Sequence, residues 1–128
     1  MSRQVALDRK QAATEFLRLA ASGQVRDAYH RYISPDFRHH NPFFRGDAQS
    51  LMTAMEENAA QNPDKVLEVQ HVLEDGDLVA VHAKVTLNPG DRPVALAHLF
   101  KFRGDLVTEL WDIGQPEPEH SPNQYGMF

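Results

Sequence analysis

The sequence predicts an α+β fold in which a curved antiparallel sheet wraps against N-terminal helices. Apolar residues recur at helical spacing through the first half of the chain, and the period changes to two after Pro63. Turn residues then divide the second half into four strand-length runs. A sheet of this kind has a concave face, and a concave face can hold a ligand.

The first helix is expected over residues 5–20, where Ala13, Phe16, Leu17 and Ala20 follow an i, i+3, i+4, i+7 pattern and Gly23 can stop it. Val25, Tyr29 and Tyr32 continue at helical spacing until Ser34-Pro35, where proline restrains the residue before it. Residues 36–41 read as a brief extended segment. Asp47 is a suitable N-cap for a third helix through about residue 60, with Leu51, Met55 and Ala59 on one stripe and Asn62-Pro63 at its close.

Strands are expected over residues 66–73, 78–87, 94–102 and 106–113. Between the first two, the Asp75-Gly76 pair is expected to supply the positive φ angles of a tight hairpin. Asn88-Pro89-Gly90-Asp91 and Gly104-Asp105 make the other turns, and the tail from residue 115 has three prolines and no period.

A chain of 128 residues is the length of one domain, here residues 1–128. Without cysteine there are no disulfides, thiolate metal sites or cysteine nucleophiles. The net charge is −5 and the basic residues are scattered, so the footprint of a nucleic-acid binder is missing. No apolar run is long enough for a membrane helix, and Met1-Ser2-Arg3-Gln4 leads into a charged amphipathic stretch, so a cytoplasmic location without membrane partners is expected. Glycine loops for phosphates, dinucleotide fingerprints and G-x-S-x-G elbows are absent. The seven histidines show no ligand spacing, and a metal would need His40, His82 and His98 to meet in three dimensions; no metal site is assigned.

Two clusters carry the candidate chemistry. Near the C-terminus, Glu109-Leu110-Trp111-Asp112 places acids beside the only tryptophan at the end of an apolar run. An acid held in an apolar pocket has its charged form destabilised, which suits Asp112 to proton transfer; the alternative is a strand-end carboxylate bound to backbone or arginine. Upstream, His39-His40-Asn41-Pro42 supplies imidazoles and a carboxamide, of which His39 and His40, as neighbours in an extended segment, cannot both face one pocket. Asn41 can equally be a simple turn residue.

Strand parity sets Leu96, His98, Phe100 and Phe102 on one face, with His98 embedded in an apolar row, where it is either a site residue or a hydrogen-bonded core histidine. Val79, Val81, Val85 and Leu87 face away from His82, Lys84 and Thr86. Asp112 shares parity with Thr108 and Leu110, and Glu109 with Trp111; parity alone leaves open which set is inside. Asp112, His98 and His40 are the candidate catalytic residues. Asn41, Trp111, His82, Phe100 and Glu109 are the candidate ligand contacts. At least three of His40, His98, Trp111 and Asp112 are expected to line one internal cavity.

The order of elements, His40-Asn41-Pro42, the run from Gly76 to His82, Glu109-x-Trp111-Asp112 and the closing Gly126-Met127-Phe128 together resemble the SnoaL-like polyketide cyclase branch of the nuclear transport factor 2-like superfamily. The resemblance spans nearly the whole chain. It implies a cone-shaped, cystatin-like fold, a homodimer packed sheet to sheet, and His40 and Asn41 at the pocket. It also implies an acid, at the position of Asp112, acting without metal or cofactor in an aldol ring closure. This chain has His98 where such relatives tend to have aspartate, and Leu110 where they tend to have histidine, so its pocket is less polar than the pattern. Two functions follow as expectations: a cofactor-free aldol cyclase or isomerase acting on a small hydrophobic carbonyl compound, or a non-catalytic module that binds or senses one.

Overall fold

The structure is a computed structural model that describes residues 8–128. Asp8 opens α1 (Arg9–Ala21) with a capping box: its carboxylate accepts the Gln11 N–H, and the Gln11 side chain accepts the Asp8 N–H. The helix expected from residue 5 therefore begins at Arg9, and residues 5–7 lie outside the described residues. Helix α2 spans Val25–Tyr32, and Asp47 caps α3 (Ala48–Gln61) by accepting the Ser50 N–H.

The meander β2 (Val66–Asp75), β3 (Leu78–Thr86), β4 (Val94–Arg103) and β5 (Leu106–Pro116) is antiparallel, as expected. The segment before the third helix is longer than expected and forms a fifth strand, β1 (Ile33–His39), which pairs in parallel with β5. The curved sheet, ordered β1-β5-β4-β3-β2, is therefore mixed rather than wholly antiparallel. Pro35 is tolerated because β1 is an edge strand whose register shifts between Ile33 and Arg38.

The first tight hairpin differs from the Asp-Gly expectation, and the second turns at Gly104-Asp105 as expected. Among the described residues only glycines take positive φ, 60° at Gly76 and 61° at Gly104 in these turns, and each is followed by aspartate, the pattern of a type II′ turn with glycine first. Arg9 ties the two turns to α1 by donating to the carbonyls of Gly76 and Gly104.

The concave face of the sheet packs on the helices. Val79 and Val81 of β3 and Phe100 and Phe102 of β4 pack in one cluster with Phe16 of α1 and Tyr29 of α2, with the Phe16 ring edge-on to Phe100 at 5.9 Å. Each such side chain contributes roughly 1.5–3 kcal/mol on burial. On β5 a bulge alters the expected parity: Lys101 pairs with Glu109, but Phe102 pairs with Val107, so Thr108 is an extra residue. Val107 and Leu110 are both fully buried on the concave side, and Asp112 shares that side with Leu110 but not with Thr108.

Candidate active site

Beyond Phe100 the packed face gives way to a cavity of about 280 Å³ between the sheet and helices α1 and α3. Its walls are mainly apolar, including Leu17, Leu51, Met55, Leu67, Val85 and Leu96. His98 and Asp112 enter it from neighbouring strands as direct register partners. The imidazole Nε2 of His98 lies 3.3 Å from Asp112 Oδ1, and Asn41 Nδ2 donates to Asp112 Oδ2 at 2.9 Å. The side chain of His98 is 5% exposed and that of Asp112 17%, so the carboxylate stands between a buried imidazole and the open volume.

Burial pushes the His98 pKa below the ordinary imidazole value, against the opposing pull of the Asp112 charge. A neutral ring carries one hydrogen, and Nδ1 of His98 is buried without a hydrogen-bond partner among the described residues. Nearby, burial first and the Asp112 charge second push the Tyr29 hydroxyl well above the usual phenol range, so it remains a donor, directed at Met55 Sδ at 3.4 Å.

Asn41 reaches the cavity because the chain leaves β1 in a tight loop that is clamped from two sides. Its Oδ1 accepts the Phe43 N–H at 3.0 Å, so Asn41 is both turn residue and cavity residue. The buried His39 ring accepts the Asn41 N–H at Nδ1 and faces the Arg45 carbonyl with Nε2, an arrangement that calls for the Nε2–H tautomer. His40 turns the other way. Its ring stacks on Trp111 (centroids 5.0 Å, interplanar angle 13°) and its Nε2 meets the Glu109 carboxylate, which Arg38 also contacts. His40 first and Arg38 second hold the Glu109 carboxyl below its ordinary pKa.

Of the four residues expected to share a cavity, His98 and Asp112 do so; His40 and Trp111 lie with Glu109 outside it. The alternation that points Asp112 inward turns Glu109 and Trp111 to the other side of β5. His82 is on the convex face as well, stacked between His71 (5.3 Å) and Phe128 (6.2 Å), so His40, His82 and His98 do not converge. Phe100 is fully buried in the core beside His98 and does not line the cavity.

A small acid–imidazole–carboxamide group at the end of an apolar hollow, under a curved five-stranded sheet, invites comparison with known proteins. Residues 13–110 match the model of the SnoaL-like domain. The chain belongs to the SnoaL-like family. Among solved structures it is similar to AclR of Streptomyces galilaeus, provisionally named a hydroxylase, with 21% identity, a TM-score of 0.72, and coverage of 84% of this chain and 89% of that one. A provisionally named polyketide cyclase from Acidithiobacillus ferrooxidans has 21% identity, a TM-score of 0.69, and coverage of 88% and 92%. A nuclear transport factor 2-like protein of unknown function from Cytophaga hutchinsonii has 18% identity, a TM-score of 0.69, and coverage of 90% and 95%. At these identities the likeness shows the fold alone. None of the curated proteins matches the chain.

The SnoaL-like domain also places at its cavity residues that sequence reasoning missed. Lys65 and Phe44 line it, and Tyr29 sits close enough to feel the charge of Asp112. Lys65 was within reach of the period-two rule, since it has the parity of Leu67 and Val69, but the first strand was expected to begin one residue later. Tyr29 and Phe44 carry no local signal, because one belongs to a helix stripe and the other to a loop.

Proposed function

We propose that this SnoaL-like domain is a cofactor-free acid–base catalyst acting next to the carbonyl of a small, mainly hydrophobic compound. The observation that supports it is the Asp112 carboxylate, held by Asn41 and faced by His98 at the end of an apolar cavity. In this reading Asp112 removes an α-proton and the electron pair moves to the carbonyl oxygen as an enolate. The second Nδ2–H of Asn41 donates to that oxygen, as a hydrogen-bond donor aimed at developing charge. His98, neutral with its Nε2–H toward Asp112, orients the carboxylate. Asn41 rather than His98 is the carbonyl donor, because the one hydrogen of a neutral ring is then directed at Asp112. Return of the proton to another carbon gives isomerisation, and attack of the enolate carbon on a second carbonyl gives aldol closure.

A homodimer is part of the same proposal. Register aligns Leu73, Ala80, Leu99 and Trp111 as one row across β2 to β5 on the convex face, where Leu73 is 66% and Leu99 36% exposed, with Ile113 in the next row at 57%. An apolar row of that length needs cover, and a second copy of the same sheet offers it.

The test is deuterium exchange at the α-carbons of a panel of β-keto esters and cyclic ketones, followed by NMR. Wild-type protein is expected to catalyse exchange on at least one member, and Asp112→Asn to retain the fold while slowing exchange roughly 10²–10⁴-fold. Exchange that survives Asp112→Asn unchanged would put the base elsewhere. Binding without any exchange would leave the domain a ligand-binding or sensing module.

A further inference from the structure

The cavity has a second polar end that the acid–base chemistry does not use. Among its lining residues Asp112 and Lys65 are the charged ones, an acid beside the buried His98 and a half-buried base next to β2. Lys65 directly precedes β2, and its parity puts it in line with Leu67 and Val69, the half-buried inward row, while Val66 and Glu68 point out. A lysine in an inward position is costly there unless an anion faces it. None of the ion pairs among the described residues involves Lys65. Burial alone pulls its pKa below the ordinary ammonium value.

Strand register gives the separation of the two ends. Leu67 pairs with Val85 and Val85 with Val94, while His98 is further along β4 on the rung that joins Val81 to Asp112. At about 3.3 Å per residue, the Val94 and His98 rungs are roughly 13 Å apart along the strand, and Lys65, two residues before Leu67, is roughly 20 Å from the His98 rung by backbone, with its side chain reaching into the cavity. Between them the wall is Val85, Val94 and Leu96.

From this geometry we propose that Lys65 is the binding residue for a carboxylate on the substrate, and that the substrate is an elongated keto acid. Its carbonyl lies at Asp112 and Asn41, its apolar body spans the rungs between, and its carboxylate pairs with Lys65 at the open end. A single ammonium, in a cavity whose other polar donors are carboxamides and one imidazole, suits a monoanion; a phosphate calls for more charged donors than the cavity provides. The proposal rests on the carbonyl chemistry assigned to the other end.

The experiment titrates the full chain with two fluorescent probes that share a naphthyl methyl ketone, 6-acetyl-2-naphthoic acid and the neutral 2-acetylnaphthalene. The acid is expected to bind about 10–100-fold more tightly than the ketone, the span of one charge-assisted hydrogen bond. Lys65→Met is expected to abolish that preference, and Lys65→Arg to retain most of it. Equal affinity of wild type for the two probes, or a preference that persists in Lys65→Met, overturns the keto-acid assignment; ketone binding and Asp112-dependent exchange would then leave the carbonyl reading standing. Absence of binding by either probe together with absence of α-proton exchange overturns both.

Discussion

Asn41 and Asp112, 71 residues apart in the chain, are joined by one hydrogen bond of 2.9 Å that ties the loop after β1 to the end of β5. The bond has two aspects that substitution separates. Asn41→Ala removes both the donor to Asp112 and the acceptor that closes the turn at Phe43, whereas Asn41→Asp keeps the turn acceptor and loses the donor. A hydrogen bond to a charged group contributes about 1.5–3 kcal/mol, so both variants are expected to slow α-proton exchange roughly 10–100-fold. Asn41→Ala is expected to lower the melting temperature by opening the turn, whereas Asn41→Asp, which sets two carboxylates side by side, is expected to lower it at neutral pH and to recover as one of them takes a proton in acid. Thermal melts at neutral and acid pH, run beside the exchange assay, distinguish the two effects.

His98 predicts a pH dependence with a definite sign. Its folded pKa lies below the ordinary imidazole value because it is buried, so the unfolded chain binds the proton more readily than the folded one. Stability from keeping His98 neutral is fully present above the unfolded pKa of about 6.5 and is lost as pH falls from there toward the lower folded value, by at most ~1.4 kcal/mol per pH unit. His98→Phe retains an aromatic ring in the same space, removes the unpartnered Nδ1, and cannot titrate. Denaturant titrations between neutral pH and pH 5 should show wild type losing stability relative to the variant. Parallel curves for the two proteins would mean that His98 titrates normally.

The parts of this molecule that were legible in sequence are those governed by local periodicity. Asp47 as N-cap, the stripe of α1 and the period-two strands each follow from residues within a few positions of one another. The parallel pairing of β1 with β5 joins segments some seventy residues apart and leaves no local trace. The Thr108 bulge is equally silent, because one extra residue changes parity without changing composition. The same limits hold at the site. Asp112 and His98 meet because β4 and β5 are neighbours in a meander, which the turn at Gly104 announces. Trp111 and Glu109 were grouped with them by closeness in sequence, and alternation along β5 sends both to the other side of the sheet, where His40, just after β1, joins them.

Phe100 offers a direct check on that sorting. Its ring is fully buried, edge-on to Phe16 and 6.0 Å from the His98 ring, but the cavity ends short of it. A ligand contact at this position would lose affinity on truncation with little change in stability. A core residue behaves in the opposite way, and Phe100→Ala is expected to cost about 3–5 kcal/mol, read from the shift in the urea midpoint. A variant that melts like wild type but no longer binds the naphthyl ketone would return Phe100 to the ligand site.

Leu99 tests the assembly. It lies at the centre of the convex-face row, with Ala80 on one side and Trp111 on the other, and its neighbours in register all present small or apolar side chains. In a two-fold dimer built sheet to sheet, each substitution appears twice at one interface, so a single charge on each chain faces an apolar partner surface with no counter-ion. Leu99→Lys is therefore expected to weaken the dimer by roughly 10–100-fold in Kd, equivalent to about 1.4–2.8 kcal/mol. Because Leu99 already contacts solvent and points away from the helices, its far-UV circular dichroism should be unchanged. Sedimentation velocity at micromolar concentration should show wild type near twice the chain mass of 14.5 kDa and the variant shifted toward the single chain. A wild-type protein that sediments only as the single chain would show that the exposed leucines are left to solvent, and the convex face would then need another explanation.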